Sequence, residues 1–449
     1  MTALPDTIAA IATAPGRGAI GIVRVSGARL STLIQGVAGR ELPARLPVLC
    51  EFQDAQGKLI DHGLAIRFPA PYSYTGEEVL ELHGHGGPVV LRVLLNRCLE
   101  LGARVAAPGE FTQRAFLNGK LDLAQAEGVI DLIDAATGQA ARCAARSMSG
   151  EFSTRIQSVM RLLVELRTLV EAVLDFPEEE LEPVDEARIG SGLKTLVREV
   201  DSVLEASQQG SLLREGADVV LAGQPNVGKS SLLNRLAGED IAIVTDMPGT
   251  TRDAIRQMIN LEGVPLRIID TAGLRRSSDA VETIGIARAW ETVAKADFVL
   301  LLLDARQGET AGDREIVTRL PESLPCIRVM NKVDLIRTAP RIERSPAGGR
   351  VTVWLSAKTG AGVELLKEVL LQSLGWRGEG EGLYMARERH LHALAGTRNH
   401  VGEAGRHMGE LDLLAEELRL AQRRLAEITG EFSADDLLGE IFARFCIGK

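Results

Sequence analysis

Residues 223–230, Gly-Gln-Pro-Asn-Val-Gly-Lys-Ser, fit the phosphate-loop pattern of glycine, four residues, then glycine, lysine and serine. The apolar run 218–222 before them reads as a buried strand, and 231–237 after them reads as a helix start. That strand–loop–helix context is what gives the pattern meaning, because glycines turn backbone N–H groups toward phosphates and the helix N-terminus adds positive potential. Four more short motifs follow in order: TDMPGTTRD from Thr245, DTAG from Asp270, NKVD from Asn331 and SAK from Ser356. The strands 264–269, 326–330 and 351–355 lead into the last three. Together they commit about 216–375 to a P-loop nucleotide domain with a mostly parallel sheet.

Each motif has its own chemistry. Lys229 is placed to reach the β- and γ-phosphates, and the Ser230 hydroxyl to bind Mg²⁺. Asp270 can hold the Mg²⁺ shell, and the Gly273 N–H can sense a γ-phosphate. Asp334 can accept from both the ring N–H and the exocyclic amine of guanine, a donor pair that adenine lacks, so it argues GTP over ATP. Ser356, Ala357 and Lys358 should close over the base. GTP contacts are assigned to Asn226, Val227, Gly228, Lys229, Ser230 and Ser231; to Thr245, Asp246, Met247, Pro248, Gly249, Thr250 and Thr251; to Asp270, Thr271, Ala272 and Gly273; and to Asn331, Lys332, Asp334, Ser356, Ala357 and Lys358. After the DTAG glycine, where a signalling GTPase has a water-orienting glutamine, stands Leu274. Another group must orient the water and another charge must serve the phosphates. The side-chain carbonyl of Asn226, with oxygens from 245–251, can help cage a monovalent cation.

The remainder of the chain bounds the class. At 449 residues it is too long for one core, and two to four domains are expected. Its five cysteines form no Cys-x-x-Cys pair, which suits a reducing cytoplasm. No secretory leader is visible, and the longest apolar run, 298–303, is far too short to span a bilayer. A net charge of −10 is unpromising for a protein that grips RNA alone. The stretch from Arg387 to His407 is a local exception, either a solvated helix face or a contact for RNA or a partner.

Residues 1–118 alternate strands (20–25, 78–82) with glycine turns and a helix at 89–101, a small α+β domain. From Leu121 the period becomes helical. Ile156, Val159, Leu163, Leu166, Val170 and Val173 form one apolar stripe, and Leu411, Leu414, Leu418, Ala421, Leu425 and Ile428 another. Gly430 should stop the second helix, and 433–436 can cap the last. The economical arrangement pairs the two stripes in one bundle, with a coiled-coil dimer as the alternative. The expected fold class is multidomain α/β: an N-terminal α+β domain (1–118), a helical bundle domain in two parts (119–215 and 376–449) and an inserted P-loop GTPase domain (216–375).

GQPNVGKSSLLN, TDMPGTTRD, DTAGLR and the terminal Phe445-Cys-Ile-Gly-Lys449 resemble the tRNA-modification GTPases of the MnmE (TrmE) family. So do the runs from Ala14, Ser73, Leu80 and Pro108, so the likeness covers essentially the whole chain. It implies a homodimer that hydrolyses GTP to GDP and works with the FAD-dependent flavoprotein MnmG (GidA), which would hold most of the tRNA. The pair would build an aminomethyl or carboxymethylaminomethyl group at carbon five of the wobble uridine. 5-Formyl- or 5,10-methylene-tetrahydrofolate would be the bound cofactor, and Arg24, Glu81, Lys120 and Lys449 its contacts in a folate-binding-like, dimerising N-terminal domain. K⁺ would lie at Asn226, Thr245, Met247 and Thr250, Mg²⁺ at Ser230 and Thr251, and Glu282 would orient the water.

From the residues alone, Arg24 or Lys120 also fits an ordinary surface charge, and Glu282 is one acid in a switch loop. Glu81, His83 and His85 alternate on one strand face, which fits a metal site as well as a turn. The resemblance implies that Cys446 lies near the folate site, whereas from the residues it fits a small apolar group packing the last helix. A competing class is an Era-like binding switch. That class would carry a basic C-terminal RNA-binding module, whereas this chain ends in an acidic-to-neutral helical stripe.

Overall fold

The computed structural model describes residues 6–175, 183–238, 256–270, 296–321, 324–345, 351–378, 382–430, 435–443, 445 and 448. In chain order the first elements are β1 (Ile8–Ile11), β2 (Ile20–Gly27), α1 (Ser31–Ala38), β3 (Val48–Gln53), β4 (Leu59–Phe68), β5 (Glu78–His85), α2 (Pro88–Glu100), β6 (Arg104–Val105) and α3 (Glu110–Leu117). Helices α4 (Leu123–Ile133), α5 (Gly138–Met148), α6 (Glu151–Asp175) and α7 (Pro183–Glu215) follow. Then come β7 (Ala217–Ala222), α8 (Lys229–Ala237), β8 (Arg256–Leu261), β9 (Val264–Asp270), β10 (Phe298–Asp304), α9 (Ala311–Thr318), β11 (Cys326–Asn331), α10 (Val333–Ile336), β12 (Arg341–Arg344), β13 (Val351–Trp354) and α11 (Val363–Ser373). The last are α12 (Glu388–Ala404), α13 (Leu411–Thr429) and α14 (Asp435–Ala443).

These elements form two compact units, one of Met1–Ile130, Met148–Leu196 and Asn399–Lys449, the other of Asp131–Ser147 and Val197–Arg398. In the first, a six-stranded sheet runs β3-β4-β5-β2-β1-β6, antiparallel except for the β1–β6 pair. Strand alternation puts Val23, Val25, Leu80 and Leu82 in a core with α1 and α2. It puts Arg24 directly opposite Glu81 on the other face. Strand β5 runs on through His85, so His-Gly-His is strand rather than turn.

The two apolar stripes meet within this unit: α6 packs along α13, burying Ile156, Val159, Leu163, Leu166 and Val170 with Leu414, Leu418, Ala421, Leu425 and Ile428. Each such aliphatic side chain contributes about 1.5–3 kcal/mol on burial, which is what pairs two segments more than 200 residues apart. Helix α13 ends where Gly430 turns left-handed at φ 87°.

The second unit is built on a seven-stranded sheet, β12-β13-β11-β10-β7-β9-β8. Its five inner strands are parallel and β8 and β12 are antiparallel edges. Strand β10 is buried throughout, as expected for a central strand covered on both faces. One face holds Val219, Leu221, Leu300, Leu302 and Val329, the other Val220, Ala222, Val299, Leu301 and Leu303. The helical segments 131–147 and 197–215 belong to this unit; Thr137 Oγ1 donates to the Gly263 carbonyl of the β8–β9 turn at 2.8 Å, and Arg214 joins the two segments through Asp131 at 3.0 Å.

Candidate functional site

The phosphate loop lies between β7 and α8, at the carboxyl end of the parallel strands, where open α/β sheets bind ligands. Three backbone positions have positive φ: Gly223 at 149°, Asn226 at 62° and Gly228 at 103°. A side chain at 228 would put its Cβ 2.4 Å from Asn331 Nδ2, so only glycine lets the loop close on that residue. Helix α8 starts at Lys229, whose ammonium donates to the carbonyls of Gly223 at 2.8 Å and Gln224 at 3.3 Å. Ser230 and Ser231 are exposed on its first turn and make no hydrogen bond among the described residues.

Asn331 joins three loops. It is 2% exposed at the end of β11. Its Nδ2 donates to the Val227 carbonyl at 2.7 Å, and its Oδ1 accepts from the N–H groups of Lys332 at 2.8 Å and Ala357 at 2.9 Å. One side chain thus fixes the phosphate loop, its own NKVD turn and the SAK loop. Lys332 donates to the Asn226 carbonyl at 2.7 Å. Asp334 is exposed in the first turn of α10 with no hydrogen bond or ion pair among the described residues, so its carboxylate is available to a base. Ser356 is fully buried, and its Oγ accepts from the Thr359 N–H at 3.2 Å. Lys358 is exposed, its carbonyl held by Arg235 of α8 at 2.8 Å. Asp270 ends β9, opposite Leu221 in the sheet.

The sequence reasoning missed Arg235, Asp304 and Arg306. Asp304 ends β10, accepts from Lys332 at 2.9 Å and is clasped by Arg306 at 2.6 Å. The Arg306 guanidinium, with Lys332, holds its carboxyl well below the usual range despite burial. The only available signal was an acid closing the apolar run of β10.

Positions 245–251, 271–273, Leu274, Glu282, Cys446 and Lys449 lie outside the described residues. Where groups can be judged, the donors fit the ions. The side-chain amide of Asn226 makes no hydrogen bond among the described residues, leaving its oxygen to a monovalent cation, and the Ser230 hydroxyl is equally available to Mg²⁺.

On the N-terminal sheet, Arg24 donates through Nε and Nη2 to Glu81 Oε1 at 3.0 and 2.9 Å. Glu81 Oε2 meets His83 Nε2 at 3.0 Å. The guanidinium lies over the rings of Tyr74 at 5.7 Å and Phe111 at 5.9 Å. It also approaches the Gly448 carbonyl at 3.5 Å. Lys120 is exposed and donates to the Pro71 carbonyl at 3.0 Å. An arginine, a carboxylate and two aromatic rings fit a flat heteroaromatic ligand with an acidic tail, which is the chemistry of a folate.

His85 leaves this group and pairs with Asp61 at 2.7 Å. Among the described residues no cluster of three or more His, Cys, Asp or Glu can hold a metal. Cys98 and Cys143 are buried and free, and burial pushes both thiols up to about 12. They are packing residues. The basic stretch near 387–407 is largely neutralised within the protein, through Arg387 to Asp131 at 2.9 Å, Arg398 to Asp201 at 3.1 Å and His400 to Glu417 at 2.7 Å.

A parallel sheet with a phosphate loop, an NKVD asparagine that ties the loops together and a free guanine-reading carboxylate defines a P-loop GTPase. Residues 7–120 match the family described as GTP-binding protein TrmE N-terminus, and 123–446 match the MnmE helical domain. The chain belongs to the MnmE family of tRNA modification GTPases.

Relatives carrying the name tRNA modification GTPase MnmE include those of Nitrosomonas europaea, 58% identical with 99% of each chain covered, and of Laribacter hongkongensis, 56% identical with both chains fully covered. A structure of Aquifex aeolicus Era bound to GDP and aluminium fluoride aligns at 26% identity over 41% of this chain and 66% of that one. Its TM-score is 0.28.

Proposed function

We propose that this chain hydrolyses GTP to GDP as part of tRNA modification, and that with a flavoprotein partner of the MnmG type it forms the aminomethyl or carboxymethylaminomethyl group at carbon five of the wobble uridine. The observation that carries the GTPase half is Asn331, which binds the phosphate loop and the two base-side loops at once while Asp334 stays free beside it. Lys229, now resting on its own loop's carbonyls, would turn to the phosphates, Ser230 and Thr251 would hold Mg²⁺, and Asn226 with Thr245, Met247 and Thr250 would hold K⁺. These ions supply positive charge at the phosphates. Glu282 would orient the water.

The folate half is supported by the Arg24–Glu81 pair and its aromatic floor. A folate would supply the one-carbon unit. Glu81 would take its donor edge, Arg24, Lys120 and Lys449 its acidic groups. A homodimer through the N-terminal domain is supported by edge strand β3, whose Leu49 is 71% exposed, with Leu46, Leu59 and Leu64 also exposed nearby. No described helix is long and apolar enough to cross a membrane. With a net charge of −10, contact with tRNA falls mainly to the partner. The sequence domains 1–118, 119–215, 216–375 and 376–449 remain the division we favour for function, although the compact units group the connecting helices otherwise.

The test is mass spectrometry of wobble uridines in a strain lacking this protein, complemented with the wild type or with Lys229→Ala. The modified uridine should disappear in the strain, return with the wild type and not with the variant. An unchanged uridine profile in the deletion strain would show that tRNA is not the target.

A further inference from the structure

Asp304 stands outside every nucleotide motif, yet it ends the strand that abuts the phosphate loop. The parallel register of β10 and β11 puts it opposite Asn331 and beside Lys332. It is 7% exposed. Its Oδ2 accepts from Arg306 Nη2 at 2.6 Å and from Lys332 Nζ at 2.9 Å, while Oδ1 accepts from Arg306 Nε and the Arg306 backbone N–H, both at 3.0 Å. The carboxylate is therefore fixed in a two-toothed clasp, the most directional form of this ion pair. Lys332 uses a second proton on the Asn226 carbonyl at 2.7 Å. The bonds run Arg306 to Asp304, Asp304 to Lys332, and Lys332 to Asn226.

The far end of this chain is a backbone that needs holding. Asn226 is left-handed at φ 62° and Lys332 at φ 69°, a region that residues other than glycine seldom occupy. A lysine ammonium sits on a flexible stem and makes a fixed bond only where something aims it. Here the aim comes from Asp304.

We propose that Asp304, clasped by Arg306, is a positioning residue for the phosphate loop: through Lys332 it holds the left-handed backbone of Asn226, and with it the loop's phosphate-binding shape. The inference rests on the GTPase reading of this site. It separates two jobs within NKVD. Asp334 selects the base, whereas Lys332, steered by Asp304, acts on the phosphate side. Loss of a purely stabilising ion pair would lower thermal stability without favouring either half of the nucleotide.

The test uses full-length protein and a fluorescent N-methylanthraniloyl GDP. Asp304→Asn keeps the shape and removes the charge that aims Lys332. Its GDP dissociation should quicken by roughly tenfold, the scale of a misplaced binding group. Its preference for GDP over xanthosine diphosphate should stay within about twofold of wild type, because Asp334 is untouched. Arg306→Ala removes only the clasp, at an exposed side chain, and should quicken dissociation by a smaller factor of about three, with the same unchanged base preference; it also decides the matter if Asp304→Asn fails to fold. Unchanged GDP dissociation in either folded variant, or a loss of base preference in place of faster dissociation, overturns the proposal. A wild-type protein that does not retain the labelled GDP would instead undo the GTPase reading.

Discussion

Asn331→Ala tests the central joint of the nucleotide site. The substitution removes an amide that satisfies the Val227 carbonyl and the Ala357 N–H, whose residues are 6% and 3% exposed, and also the N–H of half-buried Lys332. The Lys332 N–H can turn to water, but the other two groups are left buried without partners. Each such orphan costs about 1–3 kcal/mol. Allowing the loops to relax, a total of about 3 kcal/mol is reasonable for the pair, or roughly 100-fold in an equilibrium constant. Those three bonds hold the loops in their binding shape before any ligand arrives, so without them the loops relax in the free protein and must be re-formed on binding, at up to that cost. GDP affinity should fall by roughly 100-fold when read by fluorescence titration, and hydrogen exchange at the Ala357 amide should lose its protection.

Asn331→Asp separates the donor from the acceptor. It keeps an oxygen for the N–H groups of Lys332 and Ala357 but faces the Val227 carbonyl with a second oxygen, at a position now 2.7 Å away. Protection at Ala357 should survive while affinity drops. If Asn331→Ala binds GDP within about threefold of wild type with Ala357 still protected, the three-loop joint does not carry the energy assigned to it.

Asp334→Asn should weaken GTP and favour xanthosine triphosphate, whose ring offers the complementary acceptor; unchanged GTP affinity in a titration would contradict the base-reading role. Hydrolysis should run faster in KCl than in NaCl at equal ionic strength, and Asn226→Ala should narrow that gap; equal wild-type rates in both salts rule out the cation. Glu282→Ala should retain nucleotide affinity but slow single-turnover hydrolysis, and a wild-type rate removes it from the mechanism. Deleting residues 446–449 should abolish binding of a reduced folate in calorimetry and leave GTP hydrolysis nearly intact; undiminished folate affinity refutes a shared site.

Much of the fold was legible because its signals are local. The apolar run before Gly223 and the helix start after Lys229 are read within a dozen residues, and they are strand β7 and helix α8. The stripes at 156–173 and 411–428 were equally plain, since each helix displays its buried face through its period. What escaped depends on register. Nothing in the sequence brings Asp304 to Lys332, because that contact exists only once β10 and β11 align. The alternation of Glu81, His83 and His85 was visible, but Asp61, which draws His85 away, comes from β4 and is set by strand pairing. The partners of the basic stretch from Arg387 were hidden for the same reason: Asp131 lies 256 residues before Arg387 and Asp201 197 residues before Arg398.

Phe445 and Gly448 pack against the N-terminal part of the chain, beside Arg24. Ile441, Phe442 and Phe445 of the last segment pack with Leu123 and Ala126, and Phe445 lies against Gly109. Gly448, left-handed at φ 101°, sits so close to β1 that a Cβ would fall 2.5 Å from the Ile11 carbonyl. Buried aromatic residues and a glycine that permits the close approach hold this segment at Phe445 and Gly448. Its Gly448 carbonyl faces the same Arg24 that pairs with Glu81. A site with Arg24 at its centre is thus bounded by Gly448 as well as by Glu81. A ligand that draws Arg24 away from Glu81 must also alter its approach to the Gly448 carbonyl. Ligand binding at Arg24 and the placement of Gly448 are therefore linked, and each stabilises the other by the same free energy.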